Sequence, residues 1–191
     1  MTQDELNSRD QRINDLLSRV RLHYLQYFET KGRFIESDVY SVLSSRWLST
    51  YERVLLWIGG FKPGLIFRVV PNANLNLTPE QERRIGAVRE EIKADETWLT
   101  EEHNRIQREA PVAVAPHVIE AARSGRLGTE GERVMNTLQS SFATLVACAD
   151  RVRVKATTKV IDILNPIQTL KFYMAMATHQ LRMRQIGLRR G

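Results

Sequence analysis

The stretch WLSTYERVLLWIGGFKPGLIFRVV, residues 47–70, decides the predicted fold of this chain. It places two Trp, two Phe and one Tyr, together with Leu, Ile and Val, around a central Gly-Gly-Phe. Because glycine can adopt positive φ and end a helix, this pattern predicts a buried corner between two short helices. The residues predicted to build the corner are Trp47, Glu52, Trp57, Gly59, Gly60, Phe61 and Pro63.

Local signals agree with a corner. Ser49 and Glu52 have the spacing of a capping box, which predicts a helix that begins near Thr50 and ends at the glycine pair. Pro63 suits the first turn of the next helix, because the N–H that proline lacks would be unpaired there. Pro71 is predicted to stop that second helix.

A glycine pair can also belong to a phosphate-binding loop. Such a loop needs a preceding strand and a Gly-Lys-Ser/Thr end, and a dinucleotide site needs three spaced glycines. Neither pattern occurs around Gly59 and Gly60. The structural interpretation of the glycines is therefore favoured.

The same stretch resembles the signature of the plant Delay of Germination family, which is shared with the TGA class of bZIP transcription factors. The matching residues are Glu52-Arg53, Leu56-Trp57, Gly59-Gly60-Phe61 and Lys62-Pro63, whereas Tyr51 stands where the family has proline. Further matches are His23-Tyr24, Tyr27-Phe28, Asp38-Val39, Leu43 and Ile163-Leu164-Asn165-Pro166-Ile167-Gln168. The resemblance implies one domain that covers residues 1–191.

Apolar residues recur at helical spacing along most of the chain, and no strand pattern is found. The predicted helices are 4–30, ended by Gly32, then 34–45, 79 to about 109, 129 to about 164, and a last helix that is capped by Asn165 and ended by Gly187. Residues 110–128, with Pro111 and Pro116, are predicted to be either a short helix or a mobile connection. The fold class is therefore all-α, a single bundle of long and short helices.

Two interpretations fit the narrow apolar seam on the helix that begins at Pro79. Its members are Ile85, Val88, Ile92, Leu99 and Ile106. A seam of this kind can pack inside a bundle, or it can pair with another chain as a coiled coil and form a homodimer. The bundle is favoured, because the rest of the chain supplies matching helices.

The composition is that of a globular protein in a reducing compartment. The chain has 191 residues, of which 42% are hydrophobic and 26% charged, and Cys148 is its one cysteine. No apolar run approaches the ~18 residues of a membrane span, and the first residues are too polar for a signal peptide. We expect a soluble protein of the nucleus or cytoplasm.

Positive charge is concentrated at the C-terminal end. Residues 151–191 hold nine Lys or Arg and one acid, a net of +8, so that +6 minus +8 leaves −2 for residues 1–150. Such a surface can contact phosphate, anionic lipid or an acidic protein surface. The predicted interaction surface consists of Arg151, Arg153, Lys155, Lys159, Lys171, Arg182, Arg184, Arg189 and Arg190.

The sequence predicts no catalysis. The four histidines, His23, His103, His117 and His179, are scattered, without a metal-ligand cluster. No Ser or Cys has a recognisable nucleophile setting. The favoured function is a regulatory protein-interaction module, and nucleic-acid binding through the basic C-terminal face is an alternative, although residues 1–30 contain no basic run and no leucine heptads.

The resemblance implies particular partners and ligands. Dormancy-type members bind type 2C protein phosphatases of abscisic-acid signalling, and TGA members bind transcriptional co-regulators. A small-molecule sensor is the alternative, because dormancy-type members bind haem and TGA members hold a fatty acid. The family's haem positions fall here on Gln180 and Arg184, with His179 one residue away as the candidate ligand. The predicted walls of a lipid cavity are Leu56, Trp57, Phe61 and Phe142.

Overall fold

A computed structural model describes residues 3–190, without the side chains of Gln3, Leu6 and Arg190. Over this range the regular elements are helices, which confirms the all-α prediction. They are α1 (Gln3–Ser44), α2 (Thr50–Val54), α3 (Leu65–Val69), a 3-10 turn (Val70–Ala73), α4 (Pro79–Ser124), α5 (Thr129–Ile161) and α6 (Pro166–Arg190).

Two apolar clusters hold the bundle together. The antiparallel α4–α5 hairpin is its largest interface, α1 packs on α5 and α6, and α2 and α3 pack on α6. One cluster joins α3, α4, α5 and α6 through buried residues that include Ile66, Phe67, Ile92, Val160 and Phe172. The other joins α1, the corner, α4 and α5 and includes Val39, Val42, Ile58, Leu99 and Val146.

The apolar seam of α4 faces this bundle. Ile85, Ile92, Leu99 and Ile106 are each at most 5% exposed within the single chain. Because these side chains are already covered by intramolecular packing, the seam does not offer a coiled-coil face to a second copy. A homodimer would need a different surface.

The predicted end of the first helix at Gly32 is wrong. The chain stays helical through Gly32 and breaks at Asp38, whose φ of −155° and ψ of 82° are non-helical. The Asp38 carboxylate accepts hydrogen bonds from the N–H and hydroxyl of Ser41, so it caps the short last segment of α1. A single glycine costs a helix only about 1 kcal/mol, which tertiary packing overrides.

The predicted end of α4 near Glu109 is also wrong. The helix continues through Pro111 and Pro116 and ends at Gly125, which has a φ of 76°. Packing on α5 explains this continuity, because a β-carbon added at Gly131 of α5 would lie 3.0 Å from the β-carbon of His117. The mobility of residues 110–128 stays a prediction.

The helix N-termini follow the predicted capping signals. Thr78 and Gln81 form a reciprocal capping box at the start of α4. Asn165 and Gln168 exchange the equivalent hydrogen bonds at the start of α6, of 3.0 and 2.9 Å. At the other end, α6 passes Gly187 and extends to Arg190, so Gly187 does not end it.

Candidate protein-interaction site

A tight turn forms the apex of the corner. Trp57 and Gly60 exchange two backbone hydrogen bonds, of 2.8 and 3.2 Å. The two residues between them have positive φ, 46° at Ile58 and 67° at Gly59, which is the type I′ pattern. Isoleucine rarely adopts this conformation, so the turn is strained and other contacts must hold it.

The side chain of Arg153, on α5, holds the turn in place. It is 1% exposed. Its Nε donates to the carbonyl of Phe61 at 2.7 Å, and its Nη2 donates to the carbonyls of Trp57 and Ile58. A single guanidinium therefore satisfies three backbone acceptors of the corner.

Two further charges surround this guanidinium. Asp150 accepts from Arg153 Nη1 at 2.6 Å and from Lys31 Nζ, on α1, at 2.8 Å. Burial lowers the pKa of Arg153, and the charge of Asp150 opposes that change. Burial likewise lowers the pKa of Lys31, again against the attraction of Asp150. The charged cluster of Lys31, Asp150 and Arg153 thus ties α1, α5 and the corner together.

The Gly-Gly-Phe sequence has a direct explanation in this packing. A β-carbon at Gly60 would lie 2.8 Å from the guanidinium carbon of Arg153, and one at Gly59 would lie 3.2 Å from a methyl of Val42. The guanidinium also lies over the rings of Trp57 and Phe61, 5.5 and 5.8 Å from their centroids. The motif forms a socket for the buried arginine.

Contacts with α4 close the other side of the corner. The N–H of Gly64 donates to the buried carboxylate of Glu96, and Trp57 Nε1 donates to the hydroxyl of Thr100 at 3.2 Å. Pro63 is fully buried beside them. The corner is therefore bound to three long helices at once.

Two details of the predicted corner are corrected. Helix α2 starts at Thr50 after the predicted Ser49–Glu52 capping box, but it ends at Val54 rather than at the glycines, because the turn begins at Trp57. Trp47 does not lie in the core, since it is 60% exposed. It stands on the edge of a groove.

This groove runs between α1 and the corner and has a volume of about 880 Å³. Lys31, Asp150 and Arg153 are among the residues that line it. Three aromatic side chains of its wall are at least half exposed: Tyr27 at 52%, Phe34 at 56% and Trp47 at 60%. We call these three residues the aromatic rim.

An apolar cavity of about 300 Å³ continues the groove towards α6. The two spaces share Tyr24, Phe28, Phe61 and Gln180. Of the predicted lipid walls, Leu56 and Phe61 line the groove. Trp57 and Phe142 instead pack against the apolar cluster around Val39 and Val146.

The predicted basic surface is corrected at Arg153, which is buried in the corner instead of lying on the surface. Lys155 pairs with Asp95 and Glu91, at 2.8 Å each, and Lys159 pairs with Glu91 at 2.6 Å. These acids lie on α4, so the α5 lysines are interhelical ion pairs. Counting charge along the sequence could not detect their partners.

The basic residues of α6 and its neighbourhood also point in different directions. Arg184 donates to Glu52 at 3.0 Å and to the carbonyl of Trp47 at 3.1 Å, and Lys171 donates to the carbonyl of Asn74. Arg151, Arg182 and Arg189 are exposed. The side chain of Arg190 lies outside the described residues.

The candidate haem positions do not converge. His179 lies beside Lys171, Arg182 and the 3-10 turn, whereas Gln180 lines the groove. Arg184 is engaged by Glu52. A haem ligated by His179 would therefore sit outside the groove.

The described part of the chain has neither a cluster of metal-binding side chains nor a membrane-crossing helix. Among those residues, no three or more His, Cys, Asp or Glu side chains are grouped so that they could bind a metal ion. No helix in the same part combines the length and the apolar character that a membrane crossing requires.

The sequence did not indicate Lys31, Asp150 or the true position of Arg153. The one local signal is the spacing of Asp150 and Arg153, which places them on the same face of α5. The partners of Arg153 in the corner are 92 to 96 residues away. Local patterns do not report contacts at that separation.

Comparison with known protein sequences shows which family the chain resembles. Residues 2–72 match the profile of the DOG1 family, described as seed dormancy control. Protein ZW2 of Arabidopsis thaliana is 34% identical over 185 residues, which are 91% of this chain and 80% of that protein. Protein DOG1-like 4 of the same plant is 32% identical over 187 residues, 93% of this chain and 79% of that protein.

The chain therefore belongs to the seed dormancy control family, and the predicted resemblance is confirmed. The relationship extends to transcription factors. Transcription factor TGA5 of Arabidopsis thaliana is 22% identical over 182 residues, which cover 93% of this chain but 54% of that protein. Members of this group have regulatory roles, and the matched factors are regulators rather than enzymes.

Proposed function

We propose that the chain is a regulatory protein-interaction module without catalytic activity, whose protein partner binds in the groove beside the corner. The observation that carries this proposal is the aromatic rim, Tyr27, Phe34 and Trp47, each at least half exposed around one groove. Several exposed apolar side chains around one concave surface are typical of an interaction site, and Trp and Tyr are enriched among the residues that dominate binding energy.

The charged residues of the groove support binding rather than catalysis. Arg153 and Asp150 are occupied by hydrogen bonds that hold the corner. Their role is therefore to fix the shape of the groove, and the rim supplies the contact area. The partner classes implied by the family are type 2C protein phosphatases and transcriptional co-regulators, and the nucleus or cytoplasm is the compartment where both occur.

Nucleic-acid binding through the C-terminal basic residues has less support. Five of the nine predicted surface residues, Arg153, Lys155, Lys159, Lys171 and Arg184, are engaged within the chain. Phosphate binding depends on cations that are free to replace counterions. Because these five residues are already paired, they do not form a surface of free cations.

The test is to measure binding of a type 2C phosphatase of abscisic-acid signalling, and of a transcriptional co-regulator, by calorimetry. Trp47→Ala should weaken binding by at least tenfold, because an aromatic residue that dominates an interface is typically worth about 2 kcal/mol or more. Trp98→Ala is the matched control, since Trp98 on α4 is 58% exposed and lies away from the groove.

Equal affinity of the Trp47→Ala variant and the unmodified chain would contradict the groove as the binding site. Equal losses in both tryptophan variants would mean that the effect is not specific to the groove. Circular dichroism and melting of each variant establish that the fold is intact.

A small-molecule sensor is the second candidate, and the apolar cavity that continues the groove favours it. Native mass spectrometry of the purified protein, with a visible absorption spectrum of the same sample, tests this function. A colourless adduct that is lost on denaturation would indicate a lipid such as a fatty acid. A Soret band would indicate haem, and a bare polypeptide would contradict both.

A further inference from the structure

Ser49 lies under the C-terminal end of α6. Its hydroxyl donates to the carboxylate of Glu52 at 2.6 Å and accepts from the Glu52 N–H at 3.3 Å. The backbone of Gly187 covers it so closely that a β-carbon there would lie 2.0 Å from Ser49 Oγ. No group larger than the hydroxyl fits between α2 and α6 at this point.

The C-terminal end of α6 packs on α2 and is partly exposed. Leu181 and Leu188 are 63% and 64% exposed, so these two side chains add little apolar burial. Arg184 helps to attach this end by donating to Glu52 and to the carbonyl of Trp47. Terminal helical turns with exposed side chains open locally at low free-energy cost.

The sequence just before Ser49 carries a basic residue that a kinase could read. Arg46 precedes Ser49 by three residues, within a loop that also exposes Trp47. Arginine pairs well with the acidic surfaces of such enzymes. We propose that Ser49 is a phosphorylation site for a protein kinase that reads Arg46, and that phosphorylation releases the C-terminal end of α6.

The reaction is an ordinary phosphoryl transfer from ATP. The Ser49 oxygen attacks the γ-phosphorus, the bond from that phosphorus to the bridging oxygen of ADP breaks, and the hydroxyl proton goes to the base of the kinase. The products are phosphoserine and ADP. Ser49 becomes accessible for this reaction when the end of α6 opens.

Phosphorylation and docking of α6 exclude each other for two reasons. The phosphate carries a charge of about −1.5 to −2, and it would be attached within hydrogen-bonding distance of the Glu52 carboxylate. It also requires the volume that the backbone of Gly187 occupies. Release of α6 breaks the hydrogen bonds of Arg184 to Glu52 and to the carbonyl of Trp47.

Release of α6 also frees the loop that carries Trp47 of the aromatic rim. A change in partner binding on phosphorylation rests on the proposed function, whereas the modification and the release of α6 do not. The two can therefore be tested separately, the first by calorimetry with the partner and the second on the isolated protein.

The experiment incubates the folded protein with Mg-ATP and a calcium-dependent protein kinase as the basophilic probe, and follows the added phosphate by mass spectrometry. One phosphate on Ser49 is expected, and Arg46→Ala should reduce its rate at least tenfold without altering the fold. Gly187→Ala should increase the rate several-fold, because the added methyl displaces α6. Gly86→Ala is the control, since a β-carbon there meets nothing within 4 Å.

Hydrogen exchange then tests the release. In the phosphorylated protein, amides of the last turns of α6 should exchange at least tenfold faster, with α4 unchanged. The proposal is overturned if Ser49 stays unmodified in both the unmodified chain and the Gly187→Ala variant, or if phosphorylated protein exchanges α6 amides at the original rate.

Discussion

The backbone of Gly60 rests on the guanidinium of Arg153, at a distance that leaves no room for a methyl group. These two residues are far apart in the sequence, yet each requires the other in the folded protein. The glycine permits the approach, and the arginine satisfies the carbonyls that the turn leaves without backbone partners. The Gly-Gly-Phe motif of the corner is thus explained by its contact with Arg153 on α5.

The first prediction concerns that contact. Gly60→Ala should destabilise the protein by about 1–3 kcal/mol, because the β-carbon overlaps a side chain that is fixed by four hydrogen bonds. Gly32→Ala, at a helical position with nothing within 4 Å, should be neutral or stabilising by up to about 1 kcal/mol. Urea unfolding measures both, and equal effects would refute the close approach.

The second prediction concerns the hydrogen bonds of the buried Arg153 side chain. Arg153→Met should cost about 3–5 kcal/mol of unfolding free energy, because the carbonyls of Ile58 and Phe61 lose the guanidinium donor, the Trp57 carbonyl keeps only Gly60 N–H, and Asp150 loses one of its two partners. Arg151→Met, two residues away and exposed, should change the stability by less than about 0.5 kcal/mol. Similar melting of the two variants would show that the guanidinium does not hold the corner.

The pH dependence of stability should reveal the link between α2 and α6. Burial raises the pKa of Glu52, but hydrogen bonds from Ser49 and Arg184 outweigh it, so the pKa lies below its ordinary value. A carboxylate with a lowered folded pKa adds stability above the unfolded pKa and loses it as the pH falls through the folded pKa.

The unmodified chain should therefore be more stable than Glu52→Gln by about 1–2 kcal/mol at pH 7, where the cap and the Arg184 bond are both intact. This difference should shrink as the pH is lowered below about 4.5. Denaturation curves of the two proteins between pH 3 and 7 measure this difference in unfolding free energy. A difference that grows on acidification would contradict the assignment.

The prolines of α4 give a further prediction. Pro116→Ala should stabilise the protein by about 1–3 kcal/mol, because it restores a backbone donor inside a continuous helix. Pro79→Ala should have little effect, since Pro79 stands in the first turn of α4, where the N–H has no intrahelical partner. Melting curves of both variants and of the unmodified chain test this. A Pro116→Ala variant that melts below the unmodified chain would show that the packing of α4 requires the proline ring.

Features that depend on neighbouring residues could be predicted from the sequence. The capping boxes of Ser49, Thr78 and Asn165 begin their helices where their spacing indicates. Helix ends were less predictable, since Gly32, Pro111 and Gly187 stand inside helices. A helix breaker costs about 1–3 kcal/mol, and long interfaces with α5 and α6 exceed that amount.

The candidate site was much less accessible to sequence reasoning. The charge of residues 151–191 predicts that Arg153 lies on a basic surface, whereas its surroundings are decided by residues 57–61 of another part of the chain. The aromatic-rich stretch predicts that Trp47 helps to build a buried corner, but Trp47 is exposed on the rim. Hydrophobicity and charge do not indicate which side of an irregular segment faces solvent.

The separation between the corner and Arg153 has a consequence for biosynthesis. The strained turn leaves the ribosome 92 to 96 residues before the side chain that secures it. At about 5–20 residues per second, the nascent chain waits roughly 5–20 s with its aromatic residues uncovered. During that interval the uncovered apolar surface is open to aggregation or to chaperones, and a chain truncated before Arg153 would lack the side chain that secures the turn.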